Sequence, residues 1–284
     1  MKLLTMEKIA PILLLSLGWY ACSTPGTQKV EYDESLTFYA SFDSGFDANY
    51  AKGDATFYTA PGFGKIDSAV VGPEYSEVEI LPAEGLKGGA LRFNEKVRGV
   101  ALFKSKGNVS YSKENFVGTV SFWLKLDPAI DLEEGFCDPI QITDARYDDG
   151  AIWVDFTGEN PRDFRLGVFP DSTVWKLDTV GVENPYQERL VKVTDLPFSR
   201  EKWAHVAIVF DGLNTQGGKG ALYLNGQLQG VNDQIDEPFT WEIERSVIYL
   251  GLSYIGLMDE LAIYDKALSE DEVSQLFQAS SSLL

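Results

Sequence analysis

Four alternating segments carry the residues best suited to chemistry: TVSFWLKL, PIQIT, AIWVDF and DFRLGVF, spread between Thr119 and Phe169. In each, alternate positions are apolar. The intervening positions hold Trp123, Gln141, Trp153, Asp155 and Arg165. Successive side chains of a strand point to opposite faces, so if the four strands share a sheet these five residues share its outward face. Two indole rings beside an amide, a carboxylate and a guanidinium suit a sugar, with rings against pyranose C–H groups and planar polar groups on hydroxyls. The competing expectation is that each tryptophan packs under the long segment 170–199, where Trp175 could close over the face or plug it.

Other constellations point to hydrolysis. In WEIER, Glu242 and Glu244 would project to one face of a strand, and a pair of carboxylates is the apparatus of glycoside hydrolysis. Arg245 and the nearby Pro238 suit a sheet edge better than a cleft floor. A Ser/His/Asp triad would have to use His205, the only histidine. It sits in WAHVAIVF, where a hydrogen-bonded sheet histidine is expected. No Cys/His zinc spacing and no glycine-rich phosphate loop is present, so no catalytic residue is assigned.

The elements that must position these residues are strands. SLTFYASFD alternates Leu36, Phe38, Ala40 and Phe42 against Thr37, Tyr39, Ser41 and Asp43. Further strands are expected in GGALRFN, GVALFKS, GTVSFWLKLDP, EKWAHVAIVFDG, GKGALYLNGQLQG and SVIYLGLS, with Asn225 and Gly226 forming a tight hairpin turn. Residues 170–199 are read as irregular, punctuated by Pro170, Pro185 and Pro197. Near the end, GLMDELAIY is expected to alternate, with Leu257, Asp259, Leu261 and Ile263 on one side and Met258, Glu260, Ala262 and Tyr264 on the other. A helix follows, capped by Ser269 and Glu272, with Leu268 and Val273 as a hydrophobic staple and Val273, Leu276 and Phe277 as its buried face. Strands throughout and one terminal helix make an all-β, antiparallel double-sheet sandwich.

Composition agrees. The 284 residues are 44% hydrophobic and 13% aromatic, enough for a large core. The net charge of -19 repels phosphate backbones and argues against nucleic-acid partners, while acidic loops offer the oxygen ligands that Ca²⁺ takes. Residues 1–21 place Lys2 and Lys8 before an apolar run too short to span a bilayer, which reads as a signal peptide. Ala21-Cys22 resembles a bacterial lipobox, although Trp19 stands where leucine is usual. That resemblance implies lipidation at Cys22, a polar tether over 22–31, and export to a bacterial cell surface or periplasm, in one form as an outer-membrane lipoprotein. Membrane contact is expected only through that lipid. Cys137 then has no intramolecular partner and is expected as a buried thiol; the alternative is a Cys22–Cys137 disulfide in an oxidising compartment.

Three passages, SFWLKL, then KWAHVAIVFDG with ALYLNGQLQG, then GLMDELAIYDKALSEDEV, resemble the LamG-like jelly-roll domains of the concanavalin A-like lectin/glucanase superfamily over about residues 32–280. The resemblance implies a jelly-roll binding domain for glycans or extracellular proteins, often with a structural calcium. The positions matching its metal ligands are Asp43 and Asp259, with Asp47 a weaker candidate. Glucanase relatives carry E-x-D followed by another Glu; here Ser246 and Val247 follow Glu242 and Glu244 instead. The expectation is a non-catalytic, exported, carbohydrate-binding module. The alternatives are a glycoside hydrolase and a protein-interaction or structural surface module.

Overall fold

Alternating apolar residues build two sheets. The computed structural model describes residues 33–177 and 183–281, so the signal segment, Cys22 and the 22–31 tether lie outside the described residues. In chain order the strands begin β1 (Leu36–Ala40), β2 (Tyr50–Ala51), β3 (Tyr58–Ala60), β4 (Val70–Val71), β5 (Val78–Leu81), β6 (Ala90–Phe93), β7 (Val100–Lys104) and β8 (Phe116–Lys125). They continue with β9 (Cys137–Thr143), β10 (Ala151–Phe156), β11 (Phe164–Phe169), β12 (Leu190–Val193), β13 (Ala204–Leu213), β14 (Gly218–Leu224), β15 (Gln227–Ile235), β16 (Val247–Leu252) and β17 (Gly256–Tyr264). Helices α1 (Pro128–Asp131), α2 (Ser172–Trp175) and α3 (Pro185–Glu188) are single turns, and α4 (Glu270–Ser281) closes the described chain.

The first sheet runs β15-β14-β13-β8-β17-β1-β2, with β6 also on β17 and β5 on β6; the second runs β12-β11-β10-β9-β16-β7-β3-β4. Inward residues of both, among them Phe38, Phe122, Ile140, Val154, Leu166, Ile208 and Leu250, form one buried core. Each such side chain contributes about 1.5–3 kcal/mol of burial. Asn225 and Gly226 both take positive φ, 50° and 75°, between β14 and β15, the geometry of the expected hairpin turn. Cys137 is a buried free thiol, pushed up to about 11 by burial.

Helix α4 has the expected cap. The Ser269 N–H donates to Glu272 Oε2 at 2.9 Å while Ser269 Oγ accepts from the Glu272 N–H at 3.3 Å. Val273 is buried with Leu268 packed beside it. Phe277 stacks at 5.7 Å on Trp123.

Four expectations are corrected. The first is the shared face: β8 lies in the first sheet and β9 to β11 in the second. Trp123 therefore faces outward on the opposite side of the sandwich from Trp153, buried with Leu86, Ala90 and Trp203. Second, the 170–199 segment contains β12, paired with β11. Third, Glu242 and Glu244 are exposed in a turn rather than on a strand, the Glu242 carbonyl accepting from the Arg245 N–H at 2.7 Å. Fourth, the alternation of β17 breaks at Glu260, whose φ is 51°.

The β17 break has a topological cause. One edge of β17 has two partners: Gly256–Met258 pair with β6, and residues beyond the break pair with β1. A register shift between Asp259 and Ala262 on the β8 side marks a bulge at their junction. It sends Met258, Leu261 and Ile263 all into the core and turns Asp259 to the other side.

Candidate functional site

The outward face of the second sheet carries a pocket of about 480 Å³. Its floor follows from register. Tyr249 of β16, Gln141 of β9, Trp153 of β10 and Gly167 of β11 are successive cross-strand partners, so their side-chain positions form one row. A Cβ on Gly167 would stand 2.3 Å from the Trp153 ring, so only glycine lets the indole lie flat there. In another row, Asp155 pairs with Arg165.

Arg165 and Asp155 form a buried bidentate pair. Arg165 Nε donates to Asp155 Oδ1 at 2.8 Å, and Nη2 donates to Oδ2. Burial pushes Asp155 upward and Arg165 opposes that, while the fork keeps the guanidinium charged. Asp138 also lines the pocket. Burial holds its carboxyl well above the usual range, with the Asp155 charge adding to it. Gln141 is buried, and among the described residues its Nε2 has no hydrogen-bond partner.

The rim is aromatic and open. Phe136 is 59% exposed, Tyr147 52% and Phe63 40%, and all three line the pocket together with Tyr186. These loops are held from beneath. Trp153 Nε1 donates to the Tyr147 carbonyl at 2.6 Å, and Trp175 Nε1 to the Asp148 carbonyl at 3.0 Å. Tyr186 stacks on Phe169 at 4.8 Å, and Phe169 stacks on Trp153 at 5.9 Å. Phe136 lies over the Arg165 guanidinium, 4.9 Å from its ring centre.

Of the five residues expected to share a face, Gln141, Trp153, Asp155 and Arg165 come together in this pocket and Trp123 does not. Trp153 is only 1% exposed, so it supports the rim more than it offers a ring. Phe63, Phe136, Tyr147 and Tyr186 were not singled out from the sequence. Phe63, Phe136 and Tyr147 stand on loops and Tyr186 on the single turn α3, where the period of a strand gives no signal. Their signal is an aromatic residue set in acidic, glycine-containing turns such as EEGFCD and DARYDDG.

Asp43, just after β1, lies near enough to Asp259, at the bulge of β17, for their charges to interact, beside the loop that leads into β6. Asp259 is fully buried, accepting from the Leu86 N–H at 2.6 Å and the Glu260 N–H at 2.9 Å. Burial, then the charges of Glu260 and Asp43, push its carboxyl up to about 8. The loop before β6 closes on these acids: a Cβ at Gly88 would lie 2.1 Å from Asp43 Oδ1, and one at Gly85 2.8 Å from Asp259 Oδ2. Asp47 instead accepts from the Phe57 N–H at 2.8 Å. Among the described residues no three His, Cys, Asp or Glu side chains gather as a metal cluster.

His205 is a buried sheet residue, its Nε2 2.9 Å from Ser121 Oγ. Burial depresses it to about 3, so it stays neutral at physiological pH.

The family model Laminin_G_3, described as the concanavalin A-like lectin/glucanases superfamily, matches residues 106–274, more than half of the chain. The chain belongs to this superfamily. The match takes in the pocket-forming strands β9 to β12 and all of β17. No curated protein matches the chain. Among solved structures, the botulinum neurotoxin serotype D binding domain is similar at a TM-score of 0.56 and 11% identity, covering 86% of this chain and 52% of that one. The Trypanosoma rangeli sialidase is similar at 0.56 and 14% identity, covering 89% of this chain and 34% of that one. The botulinum neurotoxin DC binding domain in complex with rat synaptotagmin II is similar at 0.52 and 12% identity, covering 87% and 52%. At these identities the likeness is one of fold. The chain spans about half the length of the neurotoxin domains it matches.

Proposed function

We propose that this superfamily member is a non-catalytic carbohydrate-binding module, exported on the strength of its N-terminal segment, that holds a glycan in the pocket on the second sheet. The observation that carries the reading is the combination of three exposed rim aromatics with a buried floor of Gln141, Asp155 and Arg165. Rings meet the apolar faces of sugars, and planar polar groups fix hydroxyls. Hydrolysis by a carboxylate pair is poorly served here. Both Asp155 oxygens are taken by Arg165, which leaves Asp138 as the remaining carboxyl lining this pocket, and glycosidases use two.

A glycan-array screen followed by calorimetry tests the reading. Phe136→Ala and Tyr147→Ala should each weaken binding about tenfold, the loss of roughly 1–1.5 kcal/mol per aromatic contact, with melting unchanged because both rings are exposed. Binding untouched by both substitutions sinks the pocket. Release of new reducing ends from a bound glycan overturns the non-catalytic reading.

Asp43 and Asp259 support a structural Ca²⁺ as a second part of the proposal. A buried carboxylate crowded by two other acids is costly alone, and oxygen ligands suit calcium; carbonyls and water would complete the shell. Millimolar Ca²⁺ at about a hundred times its Kd should stabilise the protein by roughly 2.7 kcal/mol over EDTA, a rise of about 5–10 °C in Tm for a domain of this size. Asp259→Asn should abolish that rise. Identical melting in Ca²⁺ and EDTA removes the metal from the account.

A further inference from the structure

A second cavity, of about 530 Å³, adjoins the pocket and shares Phe136, Arg165 and Gln187 with it. Its remaining walls include Glu134, Thr157, Gly158, Glu159, Asp163 and Lys192. The two lobes thus form one groove across β9 to β12, with Phe136 as the saddle between them. Each lobe alone falls in the range of a complete small-ligand site, about 300–1,000 Å³. A single sugar residue would leave most of the groove empty.

The charges in the groove select further. The two cations that line it are both engaged: Arg165 is forked onto Asp155, and Lys192 pairs with Asp163 at 2.8 Å. Glu134 and Glu159 add carboxylates to the second lobe without a cation of their own in its lining. A carboxylated or sulfated sugar would meet repulsion in the second lobe and find no free cation in the first, and the chain's net charge of -19 adds to it. Exposed carboxylates are good acceptors for the hydroxyls of an uncharged sugar.

From these features we infer that the ligand is a neutral oligosaccharide that crosses Phe136 and occupies both lobes. The inference rests on the carbohydrate reading above and adds length and charge to it. Calorimetry with cello-, xylo-, manno-, laminari- and arabino-oligosaccharides of one to six units tests it, with oligogalacturonides as the acidic comparison. In the series that binds, affinity should rise at least tenfold from the shortest to the longest member, and oligogalacturonides should not bind. Gly158→Trp should fill the second lobe. A Cβ there would lie 3.4 Å from the Gly135 backbone, an ordinary contact. This variant should reduce hexamer affinity to that of the short sugar and leave the short sugar's unchanged. Should it melt early, the exposed double variant Glu134→Ala/Glu159→Ala should show the same length-selective loss, several-fold on the hexamer. A monomer that binds as tightly as the hexamer, or tight binding of oligogalacturonides, overturns this inference and leaves the carbohydrate reading standing. Failure of every neutral series to bind overturns both.

Discussion

Arg165→Met should destabilise the protein by about 3–5 kcal/mol, because it leaves the Asp155 carboxylate buried without its partner. The pair lies between β10 and β11 with both side chains about 5% exposed, so the carboxylate is largely shielded from water by its surroundings. The double variant Arg165→Met/Asp155→Leu should recover most of that loss, coming within about 1–2 kcal/mol of the parent, since apolar groups of similar volume often replace a buried ion pair at little cost. Urea unfolding of the parent, both single variants and the double variant gives the coupling energy directly. A double variant no more stable than Arg165→Met would show that the loss comes from packing against Phe136 and Trp153.

The pH dependence of the single variant is a second readout. Burial already pushes Asp155 upward while Arg165 opposes it; without Arg165 its folded pKa rises further above the unfolded value. A folded carboxyl with a raised pKa binds a proton that the unfolded chain releases, so its stabilisation is present at low pH and lost as pH rises through the folded pKa. The deficit of Arg165→Met should therefore shrink as pH is lowered from neutral toward 5. Glycan binding should stay weak in both the single and double variants at every pH, because Arg165 and Asp155 line the pocket themselves.

The same pair shows what the sequence could and could not reveal. Asp155 and Arg165 stand on outward positions of adjacent strands, and alternation alone places them on one face. Trp123 has the same local pattern as Trp153, an indole between apolar neighbours. The difference lies in where the chain goes after β8, crossing through α1 to the other sheet, and no period of two records that. The capping box of α4 was legible because it is made by residues three apart. The bulge at Glu260 was not, because it arises from β17 sharing one edge between β6 and β1, strands far apart in sequence. The rim was hidden for a related reason. Phe136 and Tyr147 belong to turns whose positions are fixed by distant groups.

For Phe136 the distant group is Arg162, a buried arginine whose head is spent on backbone. Nη1 donates to the Gly135 carbonyl at 3.0 Å and to that of Thr157, and Nη2 to the Leu132 carbonyl at 3.3 Å and to that of Glu133. It ties the loop before β9 to the end of β10, the two walls of the second lobe, yet lines neither cavity. Arg162→Leu should cost about 3–4 kcal/mol, since hydrogen bonds to a charged donor are each worth roughly 1.5–3 kcal/mol and water recovers part of the loss at the exposed carbonyls. Arg162→Lys should recover little, because an ammonium cannot match a planar fork that reaches four carbonyls. A purely structural role would lower stability and leave the affinity of the folded protein alone. Positioning predicts more: at a temperature where Arg162→Leu is fully folded, its glycan affinity should fall about as far as that of Phe136→Ala, and amide exchange should quicken over residues 132–136. Parent-like affinity in the folded variant would mean that the Phe136 loop keeps its place without the clamp, and that the rim is set by the stack of Trp153, Phe169 and Tyr186 instead.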